Sequence, residues 1–104
     1  ALDNAEGARI AGAVGEADIV FMKHHGVMVL APSIAEAWDD LYYLERAAEV
    51  QIRALQTGRP LIPVPADVAA MTNAQMRDED AECARLHLES VKRILARSEP
   101  DYAD

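Results

Sequence analysis

The sequence has few aromatic and few basic residues. Aromatic residues make up 5% of the 104 residues, so a hydrophobic core has to be built from aliphatic side chains. Lys and Arg number 10 against 18 Asp and Glu, which gives a net charge of −8. A nucleic-acid-binding protein needs clustered cations to neutralise phosphates, and the sequence has no such cluster. Nucleic acid is therefore excluded as a partner.

The single cysteine excludes a disulfide-stabilised protein, and the shortness of the apolar runs excludes a membrane-spanning one. Cys83 has no second cysteine with which to form a disulfide or a cysteine-based zinc site. No apolar run approaches the ~18 residues of a membrane span, and no charged-then-apolar leader opens the sequence. We therefore expect a cytoplasmic protein without a membrane partner. The hydrophobic fraction of 51% predicts a globular chain.

The first third of the sequence predicts a helix followed by two short strands. Small apolar residues between positions 3 and 14 indicate a helix, which Gly15 ends. Two apolar, β-prone runs at 19–22 and 27–31 follow, separated by Lys23-His24-His25-Gly26. Neither run alternates apolar with polar residues, which is typical of strands covered on both faces. We predict a tight hairpin buried in the middle of a layered structure.

A long amphipathic helix is predicted after the hairpin. Ser33 and Glu36 have the spacing of a capping box, in which the hydroxyl accepts from the Glu36 amide and the carboxylate reaches back to the Ser33 amide. Apolar residues then recur at three- and four-residue steps, and Gly58 and Pro60 end the helix near Thr57. The apolar stripe consists of Ile34, Trp38, Leu41, Leu44, Ala48, Ile52 and Leu55.

The last part of the sequence predicts an extended connector and a C-terminal helix. Three prolines within residues 59–65 impose the extended connector. A short helical turn is predicted at 67–71 and a last helix at 73–97, with Pro100 as its stop.

Five polar side chains on these helices have structural interpretations. Asp39 and Asp40 are expected on a solvated face, where they complement the helix dipole. Glu45 is expected at the surface, paired with a nearby arginine. His87 is expected at the edge of the core, and Cys83 is expected to be buried and inert.

The two strands predict a larger sheet than the sequence supplies. A two-stranded ribbon is marginally stable, and its outer edges present unpaired amides and carbonyls. Strands this apolar are typical of a wider sheet with helices on both sides, and no other strand is predicted. We therefore expect the remaining strands to come from a missing segment, another chain or an oligomer.

The adjacent histidines give only a weak metal signal by their spacing. Neighbouring side chains on a strand point to opposite faces, so His24 and His25 cannot easily bind one ion together. A catalytic zinc site takes about three protein ligands. The alternative is a hairpin turn whose imidazoles are simply solvated or hydrogen-bonded.

Residues 15–33 resemble the class II aldolase/adducin pattern of an apolar strand, a His-Gly pair, a Val-rich strand, a small residue and a helix. The run Leu44-Glu45-Arg46-Ala47-Ala48 matches a Leu-Glu-Arg-Ala-like run in that family's helix, and the closing Thr-Gly and Pro-Leu also fit. The resemblance covers residues 6–61 and weakens towards 102. It implies an α/β, three-layer αβα domain whose C-terminal part is 1–104: helix, buried hairpin, long helix and C-terminal helix.

The resemblance also implies a metal-dependent carbon–carbon lyase. In such enzymes the His before this Gly is the third ligand of a divalent cation, usually zinc, which here is His25, with His24 and Gly26 lining the site. The other two ligands, a His-x-His pair, and the acid/base residue lie upstream, so the catalytic residues are unknown and the chain alone is expected to be inactive. The metal would polarise a hydroxy-carbonyl, keto-acid or sugar-phosphate-like small molecule and stabilise its enediolate.

The partners implied by the resemblance are further copies of the chain. A homo-oligomer (a tetramer) or a complementary N-terminal fragment would complete the structure, and Tyr102 could enter a neighbouring subunit's site. One alternative is a non-enzymatic, adducin-like interaction and assembly module. Another is an unrelated small helical oligomer with a coincidental hairpin. The sequence leaves open the substrate and the choice among aldol cleavage, epimerisation, decarboxylation and dehydration.

Overall fold

The structure is a computed structural model that describes residues 4–103. The chain divides into two structural units, Ala1–Pro32 and Ser33–Asp104. The first unit contains the helix α1 (Asn4–Val14) and the strands β1 (Ile19–Met22) and β2 (Gly26–Val29). The second contains the helices α2 (Ile34–Gln56), α3 (Ala66–Asp78) and α4 (Asp80–Ser98), and a 3₁₀ turn at Pro100–Ala103.

The first unit has the predicted helix and hairpin. β1 and β2 pair antiparallel in a two-stranded sheet, with Ile19 opposite Val29 and Met22 opposite Gly26. The Leu30 amide donates to the Asp18 carbonyl at 2.7 Å and extends the pairing past the strand ends. The predicted burial of the hairpin on both faces is not found, because most strand side chains are half-buried and Phe21 is 74% exposed.

The long helix α2 begins at the predicted cap. The Ser33 hydroxyl oxygen accepts from the Glu36 amide at 3.2 Å and donates to the Glu36 carboxylate at 2.7 Å. The first half of the predicted capping box is thus confirmed, while the Glu36 carboxylate accepts from the hydroxyl and not from the Ser33 amide. At the other end, the Thr57 hydroxyl donates to the Ala54 carbonyl, and Gly58 has a φ of 72°. The helix therefore ends where the sequence predicts.

The boundary between the last two helices differs from the prediction. The helical turn predicted at 67–71 is a full helix of 13 residues. The boundary between α3 and α4 lies at Glu79, not near Asn73. Thr72 lies inside α3, where its hydroxyl donates to the Val68 carbonyl one turn earlier at 2.9 Å. The break falls instead within the acidic run 78–80, where Glu79 has a φ of −115° and a ψ of 17°.

The core of the second unit lies where α2 packs against α4. Among residues 4–103, only Ala84 and Asp39 are buried. The apolar stripe of α2 remains largely at the surface: Ile34, Leu41, Ile52 and Leu55 are all exposed. No helix within the described range is long and apolar enough to cross a membrane.

Candidate functional site

The histidine pair lies in a tight turn between the two strands. Residues 23–25 form the turn, and the His25 amide donates to the Met22 carbonyl at 3.0 Å. His24 has a left-handed backbone with a φ of 65°, and Gly26 has a φ of 140°, a conformation that side-chain-bearing residues rarely adopt. Because both histidines lie in the turn, the alternation of side chains along a strand does not apply to them.

The turn is open to solvent. His24, His25 and Gly26 are all exposed. On α1, a hydrogen bond from Arg9 (2.9 Å from Nε) lowers the pKa of Glu6, and the positive charge of His25 contributes in the same direction. The charge of His25 thus acts on the pKa of Glu6 within the first unit. The imidazole of His25 remains accessible to a ligand from outside.

A group of three acidic side chains lies at the α2–α4 junction. Carboxylate oxygens of Asp39, Asp40 and Asp80 lie within 4.8 Å of one another, and residues 4–103 contain no other three-residue group of metal-ligand type. Two of the three carboxylates share one cation, since Arg77 Nη1 donates to Asp40 at 2.9 Å and also to Asp80. Hydrogen bonds to Asp40 and then Asp80 raise the pKa of Arg77. Arg77 thus holds carboxylate oxygens of two of the three residues in this group.

The third member of this group, Asp39, pairs with a histidine on α4. His87 Nδ1 lies 2.7 Å from Asp39 Oδ1, and the side chains are 25% and 8% exposed, respectively. The His87 ring lies edge-on to Trp38 and Tyr42, with centroids 4.4 Å and 4.7 Å away, and 6.2 Å from Tyr43. His87 is thus enclosed by a carboxylate and three rings, all from α2.

The polar side chains of the helices follow the sequence predictions only in part. His87 lies at the edge of the core and Glu45 at the surface, as predicted, although Arg46 and Arg53 both pair with Glu49. Cys83 is exposed, so its predicted burial was wrong. Cys83 precedes Ala84, which is the one buried residue that α4 has among residues 4–103. Cys83 therefore lies on the outer face of α4.

The prediction of a solvated face was wrong for Asp39 and Asp40. Asp39 is buried against His87, and the Asp40 side chain is 14% exposed and held by Arg77. Their partners lie 48 and 37 residues away, where no local rule could find them. One signal was present in the sequence: Tyr42 and Tyr43 follow Asp39 at three and four residues, which places aromatic rings on the face of Asp39.

The segment that contains this turn matches a known protein family. The model of the Class II Aldolase and Adducin N-terminal domain matches residues 1–52, half of the chain. The chain belongs to the class II aldolase/adducin family. The match contains the hairpin with His24 and His25 and most of α2, and it ends before the connector. The resemblance drawn from the sequence is confirmed, and the alternative of an unrelated helical oligomer is excluded.

Two curated relatives extend the likeness over the whole chain. Each is named "Putative aldolase class 2 protein". The one from Pseudomonas aeruginosa is 29% identical over 106 residues, covering 98% of this chain, and the one from Caulobacter vibrioides is 29% identical over 105 residues, covering all of it. The chain spans about two-fifths of the length of these relatives (41% of each). No solved structure matches the chain.

Proposed function

We propose that this chain is the C-terminal part of a divalent-metal-dependent carbon–carbon lyase of the class II aldolase type, with His25 as a metal ligand. The observation that carries the proposal is the exposed His25-Gly26 turn between two apolar strands, inside the segment that the family model matches. The relatives are more than twice as long, which leaves room for the remaining ligands outside these residues.

The residues of the turn fit the role of a single metal ligand. The His25 imidazole is exposed, so a ring nitrogen can reach an ion that other residues also bind. A Cβ at Gly26 would meet no atom within 4 Å, but the φ of 140° favours glycine, which supports a turn held in one conformation. One imidazole supplies one ligand, so a catalytic zinc site at His25 would take about two further protein ligands.

The role of these residues in the reaction follows from their position. A bound divalent cation would supply Lewis-acid polarisation of a substrate carbonyl. The ladder between β1 and β2 fixes the backbone on both sides of the turn, so the Cα of His25 would keep a constant place relative to the two strands. His24 and Gly26 would line the same site. We propose a hydroxy-carbonyl, keto-acid or sugar-phosphate-like small molecule as the substrate and zinc as the metal.

The exposed apolar side chains support a larger assembly around this chain. Phe21 in β1, Ile34 in α2 and Ile62 in the connector are 74%, 81% and 94% exposed, respectively. Phe and Ile are among the residues most often buried in folded proteins. We therefore also propose that the complete protein is a cytoplasmic three-layer αβα domain that forms a homo-oligomer. The same exposure supports the second candidate function, a non-enzymatic, adducin-like assembly module.

Metal content separates the two candidate functions. The full-length protein should be purified as wild type and with His25→Gln or His24→Gln, and its metal measured by mass spectrometry beside a retro-aldol assay. We expect His25→Gln to lose the metal and the activity. His24→Gln is the matched control for metal content, because its imidazole is also exposed in the same turn, and it should keep the metal. A metal-free, inactive but folded wild type would favour the assembly module.

A further inference from the structure

One face of α2 has the residue spacing of a coiled coil. Steps of four and three residues alternate along it, which is the seven-residue repeat of a helix that pairs with another helix. In the second half of the helix the flanking positions Glu49, Gln51 and Gln56 are polar, so the apolar strip is narrow there. We call this face the α2 seam, and it consists of Ile34, Trp38, Leu41, Glu45, Ala48, Ile52 and Leu55.

The α2 seam stays largely open although α4 packs against the same helix. Its members Ile52 and Leu55 are 56% and 55% exposed. The side-chain hydrogen bonds from α3 and α4 reach Asp39 and Asp40, which lie outside the seam. Trp38, near one end of the seam, contacts a ring of α4. Most of the seam is therefore available to a partner from outside the second unit.

Glu45 is the one charged side chain of the α2 seam, and it favours one direction of pairing with a second copy. In a parallel pair, identical positions face each other, so two Glu45 carboxylates would meet and repel. In an antiparallel pair, Glu45 faces Ala48 of the second copy, whose small side chain leaves the carboxylate room to reach water. A single polar position of this kind fixes the register of a coiled coil.

The antiparallel register also matches the seam to itself. It places Leu41 opposite Ile52 of the second copy and Trp38 opposite Leu55, so apolar side chains meet on both sides of Glu45. A two-fold axis repeats each of these contacts, which is the arrangement of an isologous dimer. The seam thus carries its own complement, and α2 of a second copy is the partner that it fits.

We propose that the α2 seam pairs antiparallel with the α2 seam of a second copy, with Glu45 of each copy facing Ala48 of the other. The pairing gives a surface to the homo-oligomer proposed above and rests on the proposed function only in that respect. It does not depend on metal binding at His25, because the two properties are measured separately and belong to different units of the chain.

Disulfide cross-linking in the full-length protein tests the pairing and its direction. Leu41→Cys and Ile52→Cys are combined in a Cys83→Ser background, which removes the exposed native thiol. The two new cysteines are about 16 Å apart along the helix, so one helix cannot join them. Mild oxidation should yield a covalent dimer. Trypsin, which cleaves after Arg46, should then release a peptide pair that joins position 41 to position 52.

Val50→Cys in the same background is the matched control. Val50 is 67% exposed on the side of α2 away from the seam, so this variant should give no more dimer than Cys83→Ser alone. Links between equal positions, 41 with 41 or 52 with 52, would show parallel pairing and overturn the proposal. A double variant that forms no dimer, as expected if another part of the same chain covers the seam, would overturn it equally.

Glu45→Leu tests the seam without new cysteines. The dissociation constant of the oligomer, measured by sedimentation, should fall at least about tenfold, because a polar side chain at a seam position costs stability. Glu45→Gln is the matched control, since it keeps a polar side chain of the same size, and its effect should be smaller. A dissociation constant that Glu45→Leu leaves unchanged would contradict the pairing. A protein that cross-links as expected but binds no metal would contradict the metal site alone.

Discussion

Histidine occupies two opposite environments in the two units of this molecule. In the hairpin turn, His24 and His25 are exposed, and the backbone of His24 is left-handed. At the α2–α4 junction, His87 is three-quarters enclosed, with one nitrogen committed to Asp39 and its ring against three aromatic rings. An imidazole is available to an external ligand only where the fold does not already use it. The turn therefore suits a ligand site, and the junction suits a structural contact.

The largest effect expected from this comparison is on stability at the junction. Asp39→Ala should lower the free energy of unfolding of the second unit by about 2–4 kcal/mol, since it removes one partner of a buried pair. Asp40→Ala is the matched control in the next position, where the partner Arg77 is half exposed, and should cost about 0–1 kcal/mol. Denaturant titration followed by circular dichroism measures both. An equal loss of unfolding free energy in the two variants would show that the burial of Asp39 does not increase its contribution to stability.

An intermediate effect is expected in the turn, where the backbone matters more than the side-chain contacts. Gly26→Ala should destabilise the hairpin by about 1–3 kcal/mol, because its φ of 140° is strained for alanine although the space is open. His24→Gly should be neutral or stabilising by up to about 1 kcal/mol, because glycine adopts the left-handed conformation without strain. Thermal unfolding of the two variants side by side tests this. A Gly26→Ala variant as stable as wild type would contradict the assignment of strain to this turn.

The elements that local rules specify could be predicted from the sequence. The cap at Ser33, the end of α2 at Gly58 and the two strands each depend on residues within a few positions of one another. The contact of Asp39 with His87 spans 48 residues and depends on how two helices pack, which no local pattern encodes. The break at Glu79 escaped prediction because Glu79, which lies at the cap of both helices, is not a typical capping residue and its side chain makes no capping hydrogen bond.

The candidate site, too, could be predicted from the sequence only in part. The His25-Gly26 turn could be placed from the sequence because a family pattern carries it, and the structure positions the turn between the two predicted strands. Its role as a metal site stays a prediction. What covers the apolar strands stays a prediction, because the sheet of the described residues has two strands and its outer edges pair with no further strand there.

The smallest effect concerns ion pairs on the helix surfaces and their pH dependence. The pKa of Glu6 in α1 is lowered mainly by its hydrogen bond from Arg9, and the pKa of Glu82 in α4 by its hydrogen bond from Arg85. Both carboxylates have an ordinary value of 4.5. A lowered folded-state pKa means that each pair stabilises its helix above pH 4.5 and that this contribution is lost as the pH falls through the folded-state value.

Carboxyl titration by NMR should therefore give values below 4.5 for both residues. Arg9→Gln should return the pKa of Glu6 towards 4.5 and leave Glu82 unchanged, while Arg85→Gln should do the reverse. His25→Gln should also raise the pKa of Glu6, but by less than Arg9→Gln, because the charge of His25 is the smaller influence. Glu82 has no histidine among the causes of its shift and should not respond to His25→Gln. A Glu6 pKa that stays unchanged in Arg9→Gln would contradict the assignment of its lowering to the Arg9 hydrogen bond.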